Sequence, residues 1–297
     1  MLRAFVARFV AGGILLLVST ALLGAQALER VLYVSVVDKA SRAPVTGLGP
    51  EDFIVREDNV RREVLRVTPA TTPMPVAILV DNSAAATPTI SDLRRGLTAF
   101  IQGLDGIGPI ALIGVAERPT ILVDYTSDAK ALQAGVDRLF AVPGSGATLL
   151  DAITETARGL QKRDEDRAAV VLVTTENIEF STLHYIQVLD RVRESGVTLH
   201  AVVFVNPGGS LNSDAARNRA SVLDQGTRES GGARLDVLTS MAYEAQLKAL
   251  AGIMTAEHRV VYARPTSLIP PEKVRVEAAK PDLEAYGAQA RGQKTTR

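Results

Sequence analysis

The sequence contains no cysteine and no tryptophan, and only 4% of its residues are aromatic. Without cysteine the chain can form no disulfide, no thiolate metal site and no cysteine nucleophile, which excludes the small disulfide-stapled folds. The scarcity of aromatic rings argues against a surface that stacks on sugars or nucleobases. The formal net charge is +0, which argues against binding nucleic acid through bulk electrostatics. The 297 residues allow one large domain or two modest ones.

The first residues have the pattern of a signal peptide. Arg3 and Arg8 form a basic start, residues 9–23 are apolar, and Ala25-Gln26-Ala27 is a small-x-small cleavage site. We predict a signal peptide over residues 1–27 with cleavage after Ala27, and therefore a periplasmic or secreted protein. An uncleaved anchor is the alternative, but the apolar run of about 15 residues is shorter than the roughly 20 that a full span needs. We expect no stable membrane span after cleavage.

The stretch from 75 to 256 alternates short apolar runs with amphipathic segments. The run at 76–80 stops at Asp81 and Ser83, as expected of a strand buried on both faces. The alternation predicts an α/β domain with a doubly wound, mostly parallel sheet, in which ligands bind at the carboxyl ends of the strands. The further predicted strands are 110–115, 120–123 (an edge partner), 168–174, 197–205 and 234–237. The predicted helices are 90–102, 128–140, 149–160, 183–194, 214–229 and 241–254.

Both ends of the mature chain have short β-like patterns. Residues 28–70 are too few for a stable all-β domain, and a second set of strands follows at 257–286. We predict that the two sets pair into one small β-sandwich-like module that flanks the central domain. Residues 60–67 are predicted to form one strand, and the polar, basic tail 287–297 is predicted to be disordered.

Loops 81–87, 144–148 and 174–178 should meet at the carboxyl edge of the predicted sheet, and their segments resemble the metal-site loops of von Willebrand factor A domains. Residues 81–85, Asp-Asn-Ser-Ala-Ala, resemble the first loop, Asp-x-Ser-x-Ser. Residues 146–153 resemble the second, Gly-Gly-Thr-x-Leu-x-Asp-Ala-Ile, and residues 170–177 the third, an apolar run followed by Thr-Asp-Gly. Together with Gly47-Leu48-x-x-Glu51-Asp52-Phe53 and Tyr262-x-x-Pro265, they resemble secreted von Willebrand A-related proteins of the acidobacterial type, over nearly all of the mature chain.

The resemblance implies a degenerate metal-ion-dependent adhesion site. Asp81, Ser83 and Thr148 keep three of the expected ligands, whereas Ala85 and Thr175 replace a hydroxyl and a carboxylate. Magnesium is held through carboxylates, hydroxyls and waters, so one carboxylate instead of two leaves at most weak binding of magnesium or another divalent ion, and no other cofactor is expected. Glu176 could supply the missing carboxylate in place of Thr175, but adjacent residues at a strand end point in opposite directions, which disfavours this substitution. The other interpretation is that Asp81 and Ser83 cap the next helix or bind loop amides.

Other candidate sites have less support. Gly144-Ser145-Gly146 lacks the Lys-Ser/Thr of a phosphate-binding loop. A hydrolase built on Ser83 would need a histidine within hydrogen-bonding reach, but the three histidines lie on different predicted elements: His184, His200 and His258. His200 lies in an apolar strand, as a core histidine does. The charged run 162–167 is predicted to be a solvated helix end.

We therefore predict an exported, non-catalytic adhesion or interaction module. The face that carries a metal in relatives would bind an unidentified protein partner by shape and hydrogen bonds, and no nucleic acid. A structural envelope scaffold with a vacant site is the main alternative, and a hydrolase using Asp81, Ser83 and a histidine is the third.

Overall fold

A computed structural model describes residues 27–163, 165–176, 178–205, 213–266, 269, 271 and 273–291. The predicted signal peptide lies outside these residues, apart from Ala27 itself. Among the helices of the described residues, none combines the length and the apolar character that a membrane span requires.

The described chain begins and ends with strands and has a strand–helix alternation between them. The strands are β1 (Ala27–Asp38), β2 (Phe53–Glu57), β3 (Val60–Arg62), β4 (Val64–Pro69), β5 (Val76–Asp81), β6 (Ile110–Val115), β7 (Pro119–Thr126), β8 (Ala169–Thr175), β9 (Thr198–Phe204), β10 (Arg234–Val237), β11 (His258–Pro265), β12 (Val274–Ala278) and β13 (Leu283–Gln289). The α-helices are α1 (Ile90–Gly103), α2 (Ala129–Asp137), α3 (Leu149–Gln161), α4 (Tyr185–Ser195), α5 (Asp214–Ser221), α6 (Thr227–Ser230) and α7 (Tyr243–Thr255). A π-helical turn, Val222–Gly226, joins α5 to α6.

The central sheet has six strands in the order β10-β9-β8-β5-β6-β7. Five of them run parallel, and only β7 is antiparallel to its neighbour β6. Every residue of β5 and β8 is buried, as their unbroken apolar sequences predict. The predicted fold class, a doubly wound mostly parallel sheet, is confirmed.

Successive residues of β5 point into two separate cores. Val76, Ile78 and Val80 pack with side chains of α1 and α7, while Ala77 and Leu79 pack with side chains of α3 and α4. Because side chains alternate along a strand, the last residue, Asp81, points to the same side as Leu79. The apolar pattern of β5 therefore directs a carboxylate toward the α3 and α4 side of the sheet.

The two ends of the described chain pair into a β module. One antiparallel sheet has the order β13-β1-β11-β4, and a second has the order β12-β2-β3. The apolar core that joins them includes Leu32, Val34, Phe53, Val260 and Tyr262. This confirms the predicted sandwich-like module made from both ends, whereas the exact domain limits at 70, 75 and 256 stay predictions.

The tail starts later than the sequence predicts. Residues 287–289 belong to β13, which pairs with Leu32–Val34 of β1, and the amide of Ala290 donates to the Val31 carbonyl at 3.0 Å. The free edge of β1 supplies hydrogen-bond partners that the weak strand propensity of this segment does not reveal. Residues 292–297 of the predicted tail lie outside the described residues.

Two other predictions for single segments are wrong. The strand expected over residues 60–67 is two strands, β3 and β4, in different sheets. Arg167, expected in a solvated helix end, is buried. Its guanidinium forms an ion pair with Glu257 at 2.6 Å and donates through Nε to the Thr72 carbonyl at 2.8 Å, which ties the central domain to the module.

Candidate functional site

Three loops meet at the carboxyl edge of the central sheet, as the sequence predicts. The amide of Ala84 donates to the Ser145 carbonyl at 3.2 Å, and the amide of Ala147 donates to the Ile178 carbonyl at 3.2 Å. The amide of Thr175 donates to the Asp81 carboxylate at 3.2 Å. The described residues of loops 81–87, 144–148 and 174–178 are therefore held together by hydrogen bonds around Asp81.

Asp81 is buried, and both of its carboxylate oxygens accept hydrogen bonds from the protein. Oδ1 accepts from the Ser83 amide at 3.0 Å. Oδ2 accepts from the Thr174 hydroxyl at 3.0 Å and from the Thr175 amide. The carboxylate thus binds loop amides, which is the second interpretation that the sequence leaves open for this residue.

The two threonines at the end of β8 serve opposite sides of the sheet. Thr174 points to the side of Asp81 and donates to it. The Thr175 side chain instead hydrogen-bonds to the phenol of the buried Tyr243, which also bonds to Thr89, and burial raises the pKa of that phenol. Alternation along the strand explains the difference. Thr175, expected at a metal-ligand position, contributes only its amide to the Asp81 carboxylate.

The other positions named from the resemblance have side chains in different surroundings. The Thr148 hydroxyl donates to the Ala116 carbonyl at 3.1 Å and does not cap helix α3. The Ser83 hydroxyl is fully buried and has no hydrogen-bond partner among the described residues. Ala85 lies in a short 3-10 turn, Ala84–Ala86, and supplies no oxygen. Glu176 lies 3.7 Å from Arg234 in an ion pair at the surface.

Glu179 is a second buried carboxyl group at this edge, and no sequence pattern singles it out. Its Oε1 accepts from the Leu149 amide at 3.0 Å and from the Ser181 amide at 3.1 Å. Glu179 thereby satisfies a free amide at the start of α3, the role a capping residue normally has. Burial raises the pKa of the Glu179 carboxyl group. Its Oε2 has no hydrogen-bond partner within the described ranges.

Arg219 of α5 brings a positive charge into the same site. Its side chain is 3% exposed. It donates to the Thr174 hydroxyl at 2.9 Å and also to the Thr175 carbonyl. Burial lowers the pKa of Arg219, and the charges of Asp81 and Glu179 oppose that change. The sequence signal was available, because residue 219 begins the buried helical stripe that continues through Val222, Leu223 and Gly226.

These residues do not fit a divalent metal ion. Asp81 is the one expected carboxylate ligand, and protein donors occupy both of its oxygens. The Arg219 guanidinium is already connected to the Asp81 carboxylate through the Thr174 hydroxyl. Within the described part of the chain, no three histidine or acidic side chains gather as a metal site would require. The arrangement instead fits a cation that the chain itself provides.

No histidine hydrogen-bonds to Ser83. His184 Nδ1 accepts from the Ile186 amide at 3.4 Å, and His200 Nδ1 accepts from the Ala233 amide at 3.1 Å. His258 Nδ1 lies 3.4 Å from the Val34 carbonyl oxygen. The partner that a serine hydrolase would require is therefore not at the Ser83 hydroxyl.

Four exposed apolar side chains lie on two loops that are hydrogen-bonded at this edge of the sheet. Loop 140–147 is bonded to the Asp81 loop, since the Val142 amide donates to the Asn82 carbonyl at 2.9 Å and Asn82 Nδ2 donates to the Phe140 carbonyl at 2.9 Å. Ile178 and Phe180 both bond to Ala147 of this loop: the Ile178 carbonyl accepts from the Ala147 amide, and the Phe180 amide donates to the Ala147 carbonyl at 2.8 Å. We call the exposed side chains of these two loops the apolar rim: Phe140, Val142, Ile178 and Phe180.

Backbone contact shapes part of the apolar rim. A Cβ atom at Gly146 would lie 2.5 Å from the Phe180 ring, so the absence of a side chain lets this ring lie against the loop. Arg94 of α1 lies over the Phe140 ring, with its guanidinium carbon 4.2 Å from the centroid, a cation–π contact. Both aromatic rings are thus held in place while more than half of each remains exposed.

Comparisons with known proteins place the central sheet in a recognised fold. Residues 76–177, about a third of the chain, match the family model of the von Willebrand factor type A domain. A von Willebrand factor type A structure from Catenulispora acidiphila is 11% identical, with a TM-score of 0.52, over 90% of this chain and 72% of that one. The fold is therefore von Willebrand A-like. No curated protein sequence matches the chain.

Two further structural matches cover a smaller share of this chain. BatB from Bacteroides thetaiotaomicron is 13% identical over 61% of this chain and 98% of that chain, with a TM-score of 0.46. The vWF domain of the type V pili tip protein Mfa5 from Porphyromonas gingivalis is 12% identical over 61% and 95%, with a TM-score of 0.45.

Proposed function

We propose that this protein is an exported, non-catalytic interaction module that binds a protein partner through the apolar rim, without a metal ion. The exposed rim is the observation that carries the proposal. Clustered exposed apolar side chains on a soluble domain mark interaction surfaces, and aromatic residues supply much of the binding energy of such surfaces. The von Willebrand A-like fold presents this rim at the carboxyl ends of its parallel strands, the usual ligand-binding edge.

The rim is suited to recognition because its loops are preorganised. The side chain of Asn82 holds loop 140–147 against the Asp81 loop, and the amide of Ala147 holds the loop of Ile178 against loop 140–147. Binding to loops that are already ordered costs less conformational entropy than binding to mobile ones. We also propose that the chain is a secreted von Willebrand A-related protein of bacterial type, located in the periplasm or outside the cell. The sequence of residues 1–27 supports this location.

The experiment compares two isoleucines that are almost equally exposed, Ile178 at 61% and Ile121 at 65%. Ile121 lies on β7, the edge strand at one end of the central sheet, and is not part of either rim loop. A photo-crosslinking amino acid is placed at either position, and the protein is irradiated in its own cells. We expect a discrete adduct from position 178 and none from position 121.

Two further conditions test the role of the rim. Phe140→Asp should abolish the adduct at position 178, because it adds a charge to the apolar surface. EDTA should leave the adduct unchanged. Equal adducts at both positions, no adduct at position 178, or loss of the adduct in EDTA would each contradict the proposed mode of binding.

A further inference from the structure

We propose that Arg219 is a built-in cation that takes the place of the metal ion at the carboxyl edge of the sheet. The inference deepens the proposed function. It rests on that function for the statement that partner binding needs no metal. Its structural content concerns Asp81, Thr174 and Arg219, and can be tested without any partner.

A relay of hydrogen bonds connects the two charges. The Thr174 hydroxyl accepts from Arg219 at 2.9 Å and donates to Asp81 Oδ2 at 3.0 Å. One hydroxyl can do both, because it has one donor and two acceptor positions. The Thr175 residue repeats the connection through its backbone, since its amide donates to Asp81 and its carbonyl accepts from Arg219. Two parallel links therefore orient the guanidinium toward the carboxylate.

The charges explain why a cation is required at this place. Asp81 is 1% exposed, so its carboxylate has lost nearly all of its contact with water. A buried charge is costly unless it is paired or hydrogen-bonded. Glu179 adds a second buried carboxyl group that also interacts electrostatically with Arg219. A divalent ion added to this site would lie beside a buried guanidinium, and the repulsion between them is strong where water is excluded.

The chemistry of arginine suits this position. A planar guanidinium offers several donors in a fixed geometry, whereas an ammonium is a compact, strongly hydrated point charge. Here one terminal nitrogen serves both a hydroxyl and a carbonyl oxygen on adjacent residues of β8. The helix also fixes the position of the Arg219 side chain, because Val222 and Leu223 in the following turn are buried in the core against α4.

The test is a double-mutant cycle on the exported protein, with the midpoint of thermal unfolding as readout. Arg219→Met should lower the midpoint by about 10 °C, the size expected when one partner of a buried charge pair is removed. Asp81→Asn should lower it as well. The double variant Arg219→Met/Asp81→Asn should lose clearly less than the sum of the two single losses, because neither charge is then left without its counterpart.

Arg217 provides the matched control on the same helix. It forms an exposed ion pair with Asp214, so Arg217→Met should change the midpoint by no more than about 2 °C. Should Arg219→Met fail to fold, Arg219→Gln replaces it in the cycle, because glutamine also removes the charge but keeps hydrogen-bond donors for the Thr174 hydroxyl and the Thr175 carbonyl. An additive cycle, or a loss for Arg219→Met no larger than that for Arg217→Met, would overturn the proposal. Coupling without a rim adduct would instead contradict only the proposed function.

Discussion

Two buried carboxylates, Glu57 in the β module and Asp81 at the edge of the central sheet, are stabilised in different ways. Glu57 lies between the two sheets of the module and forms a direct ion pair with Arg62 at 2.9 Å. It also lies 3.6 Å from Arg264 and accepts from the Tyr262 hydroxyl at 2.9 Å. Asp81 reaches its arginine through the Thr174 hydroxyl.

The difference between the two sites distinguishes a structural charge cluster from a candidate functional site. At the Glu57 cluster each oxygen has a direct, strong partner. Around Asp81, the Ser83 hydroxyl and the second oxygen of Glu179 are buried without hydrogen-bond partners among the described residues. Incompletely satisfied buried polar groups are rare in stable cores and need a specific reason. Where the rest of a protein follows the usual rules of packing and hydrogen bonding, exceptions to them are expected at functional sites.

The largest expected effect breaks the direct cluster. Glu57→Gln removes the charge that pairs with two mostly buried arginines, so it should lower the free energy of unfolding by about 3–5 kcal/mol, measured by urea denaturation. Asp81→Asn should cost less, about 1–3 kcal/mol, because Arg219 keeps its bonds to the Thr174 hydroxyl and the Thr175 carbonyl and still has Glu179 as a counter-charge. Glu29→Gln is the control, because the Glu29–Arg66 pair is exposed and should contribute at most about 1 kcal/mol. Equal losses for Glu57→Gln and Asp81→Asn would contradict the comparison.

A smaller effect is expected from His200, which extends the comparison to a buried group with a single partner. Burial lowers the pKa of His200 to about 4, while the unfolded chain has a histidine pKa near 6.5. The unfolded state therefore binds the proton more tightly. The stability that depends on neutral His200 is complete above pH 6.5 and is lost as the pH falls toward 4. At pH 5 the loss should be about 2 kcal/mol relative to pH 8.

The variant His200→Asn isolates this effect, because asparagine can still accept from the Ala233 amide but does not titrate. The carboxyl groups of Glu179 and Glu257 have raised pKa values, and their contributions have the opposite sign. They cancel when the wild type and the variant are compared. If the difference in unfolding free energy between the two proteins is the same at pH 8 and pH 5, then His200 does not titrate as described.

The smallest expected effect concerns the opposite face of the strand that carries Glu57. Arg56 pairs directly with Arg61 on one side and with Arg275 on the other. Like charges directly opposite each other in a sheet are destabilising. Arg56→Thr should therefore raise the free energy of unfolding by about 0.2–1 kcal/mol. The gain should disappear in 1 M salt, where the screening length is about 3 Å, and a gain that persists there would have another origin.

Much of the fold follows from local patterns in the sequence. Strands β6 and β10 begin and end as predicted, because each is a short apolar or alternating run with turn residues at its ends. Asp58 and Asn59 adopt positive φ, as an Asp-Asn turn predicts. Helix α2, predicted from residue 128, begins at Ala129, because Asp128 is its cap and accepts from the Lys130 amide at 2.9 Å. Such one-residue errors are normal for helix ends.

The parts that could not be predicted depend on contacts between distant segments. Strand β13 has little intrinsic strand character and exists because β1 has a free edge. Glu179 caps a helix that begins 30 residues earlier, and Arg219 reaches a threonine 45 residues earlier. Local periodicity contains no information on which loops meet. The resemblance identified the right loops, but it could not reveal that an arginine from a separate helix enters them.

The most direct test of the account is thermal unfolding of wild-type residues 28–297 in EDTA and then in millimolar Mg²⁺, Mn²⁺ or Ca²⁺. A ligand at 100 times its dissociation constant adds about 2.7 kcal/mol, or about 5–10 °C in the midpoint for a domain of this size. We expect no rise for the wild type or for Ala85→Ser/Thr175→Asp, and a rise only when Arg219→Met is added to that pair. A metal-dependent rise of this size in the wild type, abolished by Asp81→Ala, would contradict the claim that Arg219 takes the place of the metal.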